Sequence, residues 1–241
     1  MKYSVLTTTN NNNIKFYKTY LDSINNQKII PKEIVLINDK SRIPNLKNFV
    51  RTKLNKNIIL HYIENTNNIG IAKSLNKGLK KCNTDLIFRL DIDDKWDPNH
   101  TKNLLSEYSN DKSYLIYSNN INNFNRKGLS DLNLLIDNPT VHSSWLINRT
   151  IKKNFLYNEN EFPEDFSTLS KYIRNGFKFK LIETKTITYY DLVNSQSKKK
   201  IANRDLKKIK EKNLKHFLKT NSYLKLIEVL GLKGIMKLLL K

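Results

Sequence analysis

The stretch LIFRLDIDDKWDPN, Leu86 to Asn99, carries three carboxylates within four positions, Asp91, Asp93 and Asp94, directly after an apolar run. On an extended backbone, residues two apart face the same way. Asp91 and Asp93 are therefore spaced to turn toward one cation, with Asp94 offset to the other face or into the following turn. Hard divalent cations such as Mg2+ and Mn2+ prefer oxygen ligands. They often take only one or two protein carboxylates, with water and phosphate oxygens filling the remaining positions. The stretch itself holds no His or Cys, which argues against zinc. The competing reading is a polar loop of turn and capping aspartates, Asp97-Pro98 included.

These carboxylates need a scaffold. Lys2 to Thr9, Glu33 to Asn38, Asn57 to Ile63 and Asp85 to Leu90 are short apolar, β-branched runs that read as buried strands. Between them, Ile14 to Gln27 and Ile71 to Cys82 place apolar residues at helical spacing. The alternation predicts βαβ units and a mostly parallel sheet flanked by helices. Ligands of such sheets bind outside the carboxyl ends of the strands, where both the aspartate cluster and Asp39 fall. Beyond Pro98 the pattern predicts a helix to about Asn110, strands over 113–119 and 141–147, and a polar loop over 121–138. A helix over 163–176 follows, with Glu164 and Asp165 in its first turn and Gly176 as its stop, and then extended structure.

The chain has 241 residues and a formal net charge of +21, with 36 Lys against 7 Arg. Readers of bases and phosphates favour the bidentate Arg fork; without Arg clusters, zinc-finger spacing or RNP-like aromatics, a nucleic-acid partner is not expected. Cys82 is the only cysteine, so no internal disulfide or Cys-based metal site is expected. Neither a signal-peptide core nor a run of membrane-spanning length occurs, and the expected location is cytoplasmic. Residues 198–241 hold 14 Lys/Arg and three acids. Their apolar residues recur at helical spacing, first at Leu206, Ile209, Phe217 and Leu218, then from Leu224 to Leu238. This segment reads as a basic amphipathic helical tail, suited either to peripheral contact with an anionic membrane or to capping part of the sheet with its lysines facing water.

Several motifs together resemble family 2 glycosyltransferases of the GT-A fold. In NIGIAKSLNKGLKKCNTDLIFRLDIDDKWDPN the matching positions are Asn68, Gly70, Leu75, Asn76, Gly78, Arg89, Asp91, Asp93, Asp94 and Pro98. Leu21, Ser23 and Gln27 resemble the family's first helix, and EIVLINDKS its second strand. NPTVHSSWLINR resembles its N-P-x-x-H segment, and PEDFSTLSKYIRNGFKF its E-D-x-x-L helix. The resemblance spans roughly residues 3–197. There are departures: Thr7-Thr8-Thr9 ends the first strand, Asn38 and Lys40 flank Asp39 where the family has an acid and a glycine, and Tyr189-Tyr190-Asp191 stands where many members have Tyr-Arg.

The resemblance implies a GT-A-like, Rossmann-like domain over 1–197, with a donor half to about 97 and an acceptor half over about 98–197. It implies inverting transfer of a hexose or N-acetylhexosamine from a UDP-sugar to a growing surface glycan or lipid-linked glycan, with Mn2+ or Mg2+. Asp93, Asp91 and Asp94 would hold the metal. Thr8, Thr9, Asn11, Asp39, Asn68, Gly70, Asp91 and His142 would form the donor site, Asp39 by accepting hydrogen bonds from uridine. Asp165, with Glu164 beside it, would be the base. Arg89 would support the carboxylates, and Trp96 and Trp145 could stack on sugars or pack in the core. The rival enzyme reading is a nucleotidyltransferase, which usually has a Gly-rich phosphate loop that TTTNNNN lacks. The rival outside enzymes is a basic nucleic-acid-binding protein.

Overall fold

The computed structural model describes residues 1–110, 115–120, 138, 140–151, 154–188 and 200–219. Eight strands form one sheet: β1 Tyr3–Thr9, β2 Glu33–Asn38, β3 Ile59–Glu64, β4 Leu86–Arg89, β5 Lys95–Trp96, β6 Leu115–Asn120, β7 Leu146–Asn148 and β8 Phe179–Thr188. Their order is β3-β2-β1-β4-β7-β6-β8-β5. β1 pairs in parallel with β2 and β4, β2 with β3, and β6 with β8. β7 runs antiparallel to β4 and β6, and β5 antiparallel to β8. The helices are α1 Ile14–Asn25, α2 Leu46–Lys53, α3 Ile71–Leu79, α4 His100–Asn110, α5 Glu164–Arg174 and α6 Lys200–Lys219.

The apolar strands build two cores because successive side chains alternate between faces. Tyr3, Val5, Ile34, Leu36, Leu86 and Phe88 pack on one side with α1, α2 and α4. Leu6, Val35, Ile37 and Ile87 pack on the other with α3, α5 and α6. A sheet covered on both faces explains why β1 and β2 are buried at every position. Gly78 brings α3 close: a Cβ there would lie 2.4 Å from Ile37 Cδ1 and 2.5 Å from Leu6 Cδ1.

The helix and strand alternation of the first half matches the sequence expectation. The strand expected over 141–147 is shorter: His142–Ser144 form a 3-10 turn and only Leu146–Asn148 pair as β7. Ser144 N and Oγ both donate to Val141 O, at 2.9 and 2.6 Å, which closes that turn. The periodicity did not reveal α2 or the two-residue β5. α6 lays Leu206, Ile209, Leu214 and Phe217 toward the domain, and its Asn213 Nδ2 donates to Ser170 Oγ of α5 at 3.1 Å. The expected loop over 121–137, the segment 189–197 and the second apolar stretch of the tail lie outside the described residues.

Candidate functional site

The carboxyl ends of β1, β2 and β4 lie side by side, and they carry most of the candidate residues. Thr8 pairs with Ile37 and Thr9 with Asn38 in the β1–β2 register. Asp39 N donates to Thr9 O at 2.7 Å, and Thr7 Oγ1 donates to Leu90 O at 2.8 Å.

Asp39 is buried and holds the entry to α3. Its Oδ1 accepts from Ile69 N and Asn65 Nδ2, both at 2.9 Å, and its Oδ2 from Gly70 N at 3.0 Å. A remote carboxylate thus satisfies amides at a helix N-terminus, where an anion is favoured. Gly70 precedes α3 with φ 89°, a conformation that favours glycine, and Asn68 Oδ1 also accepts from Gly70 N, at 3.2 Å. Thr9 Oγ1 shares a hydrogen bond with Tyr17 OH at 3.0 Å and accepts from Asn11 N at 3.1 Å. Thr8 Oγ1 is buried and has no hydrogen-bond partner among the described residues.

The aspartate cluster follows β4 and is organised by two residues. Arg89, fully buried, donates to Leu6 O at 3.2 Å, to Leu90 O, and to Asp91 Oδ1, with which it forms an ion pair. Ser143 Oγ accepts from Asp91 N at 2.9 Å and lies within hydrogen-bond reach of Asp91 Oδ2, at 3.1 Å, and of Asp94 Oδ2. Asp94 is 2 % exposed, so it faces Ser143 and not the open edge. Asp93 is half-buried. Burial, then the neighbouring charge of Asp91, push its carboxyl up to about 6.

Asp93 and Asp91 fit a divalent cation held by one or two carboxylates. A positive charge would relieve the repulsion that raises the Asp93 carboxyl. Asp94, the third expected carboxylate, is hydrogen-bonded to Ser143 Oγ. Among the described residues, no group of three or more His, Cys, Asp or Glu side chains is placed to hold a metal ion.

Glu164 and Asp165 open α5. Asp165 Oδ2 accepts from Asn138 Nδ2 at 2.6 Å and its Oδ1 from Phe166 N at 2.7 Å. Glu164 is 5 % exposed; burial and the adjacent Asp165 push its carboxyl up to about 8. His142 is buried, with Nε2 2.9 Å from Tyr157 OH and Nδ1 3.6 Å from Glu164 Oε1. Burial, then the charge of Arg89, hold its imidazole well below the ordinary range.

The expected residues thus form two groups. Ser143 bonds Asp91 and Asp94, His142 lies beside Glu164, and Asn138 bonds Asp165, while Asp39, Asn68 and Gly70 form a separate network beside the ends of β1 and β2. Trp96 and Trp145 belong to the core. Trp96 is 1 % exposed and stacks on His100, and Trp145 is 0 % exposed and stacks on Tyr157; neither is open to a sugar. Sequence reasoning did not single out Ser143, Asn138 or Tyr157. The one signal for Ser143 was its place beside His142, small and polar within an apolar run.

The fold is GT-A-like, and the chain belongs to glycosyl transferase family 2, which it matches over residues 4–176. A Haemophilus influenzae protein described as an uncharacterized glycosyltransferase is 30% identical over 141 residues, 58% of this chain and 52% of that protein. The match therefore spans about half the length of that relative. Among solved structures, residues 1–349 of S. aureus TarS in complex with UDP-GlcNAc align with a TM-score of 0.68 at 19% identity, covering 90% of this chain and 67% of that one. The mannosyltransferase PcManGT from Pyrobaculum calidifontis, in complex with GDP-Man and Mn2+, aligns with a TM-score of 0.65 at 15% identity, covering 91% of this chain and 64% of that one.

Proposed function

We propose that the protein is an inverting glycosyltransferase that moves a hexose or N-acetylhexosamine from a UDP-sugar to a growing surface glycan or lipid-linked glycan. The observation that carries this reading is the pairing of two acid groups through one segment: Ser143 reaches Asp91 and Asp94, and Asn138 reaches Asp165. A displacement at an anomeric carbon needs a charged leaving group on one face and a base on the other. A divalent cation, Mn2+ or Mg2+, when bound, neutralises charge collecting on the departing diphosphate. Asp93 and Asp91 would hold it, and Arg89 fixes Asp91.

Asp165, whose carboxyl oxygens accept from Asn138 Nδ2 and Phe166 N at the start of α5, takes the proton of the acceptor hydroxyl. The acceptor oxygen bonds to the anomeric carbon as the nucleoside diphosphate departs from the opposite face. Thr8, with its unpartnered buried hydroxyl, lies with Thr9, Asn11, Asp39, Asn68 and Gly70 on the nucleoside side, and His142 lies between the two acid groups. The UDP-GlcNAc complex of TarS supports a uridine donor. D165N tests the reading: release of nucleoside diphosphate in the presence of acceptor falls about 10²- to 10⁴-fold while nucleotide binding is retained. A variant as active as wild type would refute the assignment.

The lysines of α6 and the residues after it supply peripheral contact with an anionic membrane on the cytoplasmic side. Among the described residues, no helix is long and apolar enough to cross a membrane. Because the apolar side of α6 faces the domain, the contact is electrostatic and salt-sensitive. Sedimentation with anionic but not neutral vesicles, lost at high salt, is the expected result; equal binding to both contradicts it.

A further inference from the structure

Asn138 reaches Asp165, Ser143 reaches Asp91 and Asp94, and His142 directly precedes Ser143. Among the described residues the Tyr157 hydroxyl has no other hydrogen-bond partner than His142 Nε2, 2.9 Å away. The network therefore assigns the phenol as donor, which leaves the imidazole proton on Nδ1. That N–H lies 3.6 Å from Glu164 Oε1, longer than a hydrogen bond and within reach of one on a small adjustment. Tyr157, His142 and Glu164 are all buried. The charged and titratable groups around Glu164 are Arg89 and Asp91 from β4 and its end, His142 from the turn, Tyr157 from the segment before α5, and Asp165 on its own helix. The charge of Arg89 is already matched by Asp91. A further anion at Glu164, beside Asp165 in a dry interior, would be offset only by a backbone hydrogen bond and by Arg89, which Asp91 already pairs.

We propose that Glu164 is a positioning residue and not the base: its carboxyl faces His142 Nδ1 at 3.6 Å and holds that ring, and with it the His142–Ser144 turn that carries Ser143, in place. This rests on the glycosyltransferase reading above. The raised carboxyl of Glu164 points the same way, and Asp165, with its two N–H donors, is left as the base.

The test compares E164Q, E164A and D165N in the full chain. Gln is the neutral isostere and keeps the carbonyl that His142 addresses. E164Q is expected to keep kcat within about tenfold of wild type, E164A to lose more, and D165N to lose about 10²- to 10⁴-fold. E164Q as inactive as D165N would overturn the proposal. A second arm needs no activity: thermal unfolding from pH 5 to 9. An acid whose folded pKa lies above its unfolded value contributes stability that is present at low pH and lost as pH rises through the folded pKa, here about 8. Wild type should lose Tm over that window and E164Q should lose less. Superimposed profiles would overturn the neutral acid. Absence of transfer from any nucleotide sugar by wild type would instead overturn the glycosyltransferase reading, and the positioning role with it.

Discussion

Replacing Ser143 by Ala removes one oxygen and leaves two groups to find other partners. Ser143 is fully buried. Its Oγ accepts from Asp91 N at 2.9 Å and offers its single proton to Asp91 Oδ2, at 3.1 Å, or to Asp94 Oδ2. Only one carboxylate takes that proton at a time. The change therefore costs one bond to an anion, about 1.5–3 kcal/mol, and one to a backbone amide, about 0.5–1.5 kcal/mol. Because Asp94 is 2 % exposed, water does not readily replace the lost donor. The expected destabilisation is about 2–4 kcal/mol, read in urea as a lower midpoint with an unchanged m-value. The effect should be coupled to Asp94: in a cycle with D94N the two losses should fail to add by about 0.5–3 kcal/mol. A loss below about 0.5 kcal/mol, the range of ordinary surface changes, would refute the view that Ser143 organises the carboxylates.

Gly78→Ala should cost about 1–3 kcal/mol through overpacking, since its Cβ would meet Ile37 and Leu6 side chains at 2.4 and 2.5 Å; an unchanged urea midpoint would show that the α3–sheet contact yields freely. Asp39→Ala should release the amides of Ile69 and Gly70, and hydrogen exchange at those two positions should speed up relative to the middle of α3; equal protection in variant and wild type would argue against the remote cap. In EDTA, the Asp93 carboxyl, raised to about 6, favours the fold at low pH and ceases to do so as pH rises through that value. Unfolding curves should thus lose stability between about pH 4 and 6, and D93N should flatten that slope; an identical slope in both proteins would place the titration elsewhere.

Much of the scaffold was legible because the central strands are buried on both faces and so read as continuous apolar runs, and because α1 and α3 keep a clean helical period. What escaped is local. α2 follows Asn45, whose φ of 53° no periodicity announces, and β5 is too short for a pattern, held by pairing with β8 far along the chain. VHSSWLI looks like a strand by composition. Its two serines instead fold it into a turn, one closing it on Val141 and the other binding the aspartates. Spacing tells which side chains share a face, but only the partner strand and turn tell which of them is drawn inward. Trp96 and Trp145, open to two readings in the sequence, are core residues: Trp96 packs in the core that holds α1, α2 and α4, and Trp145 in the core on the other face of the sheet.

The central claim, a nucleotide-sugar site built on Asp93, is most directly tested by calorimetry of UDP binding at moderate salt, with Mn2+ and with EDTA, on wild type and D93A. Binding that requires the metal and disappears in D93A is the predicted result. Failure of wild type to bind UDP under either condition would contradict it.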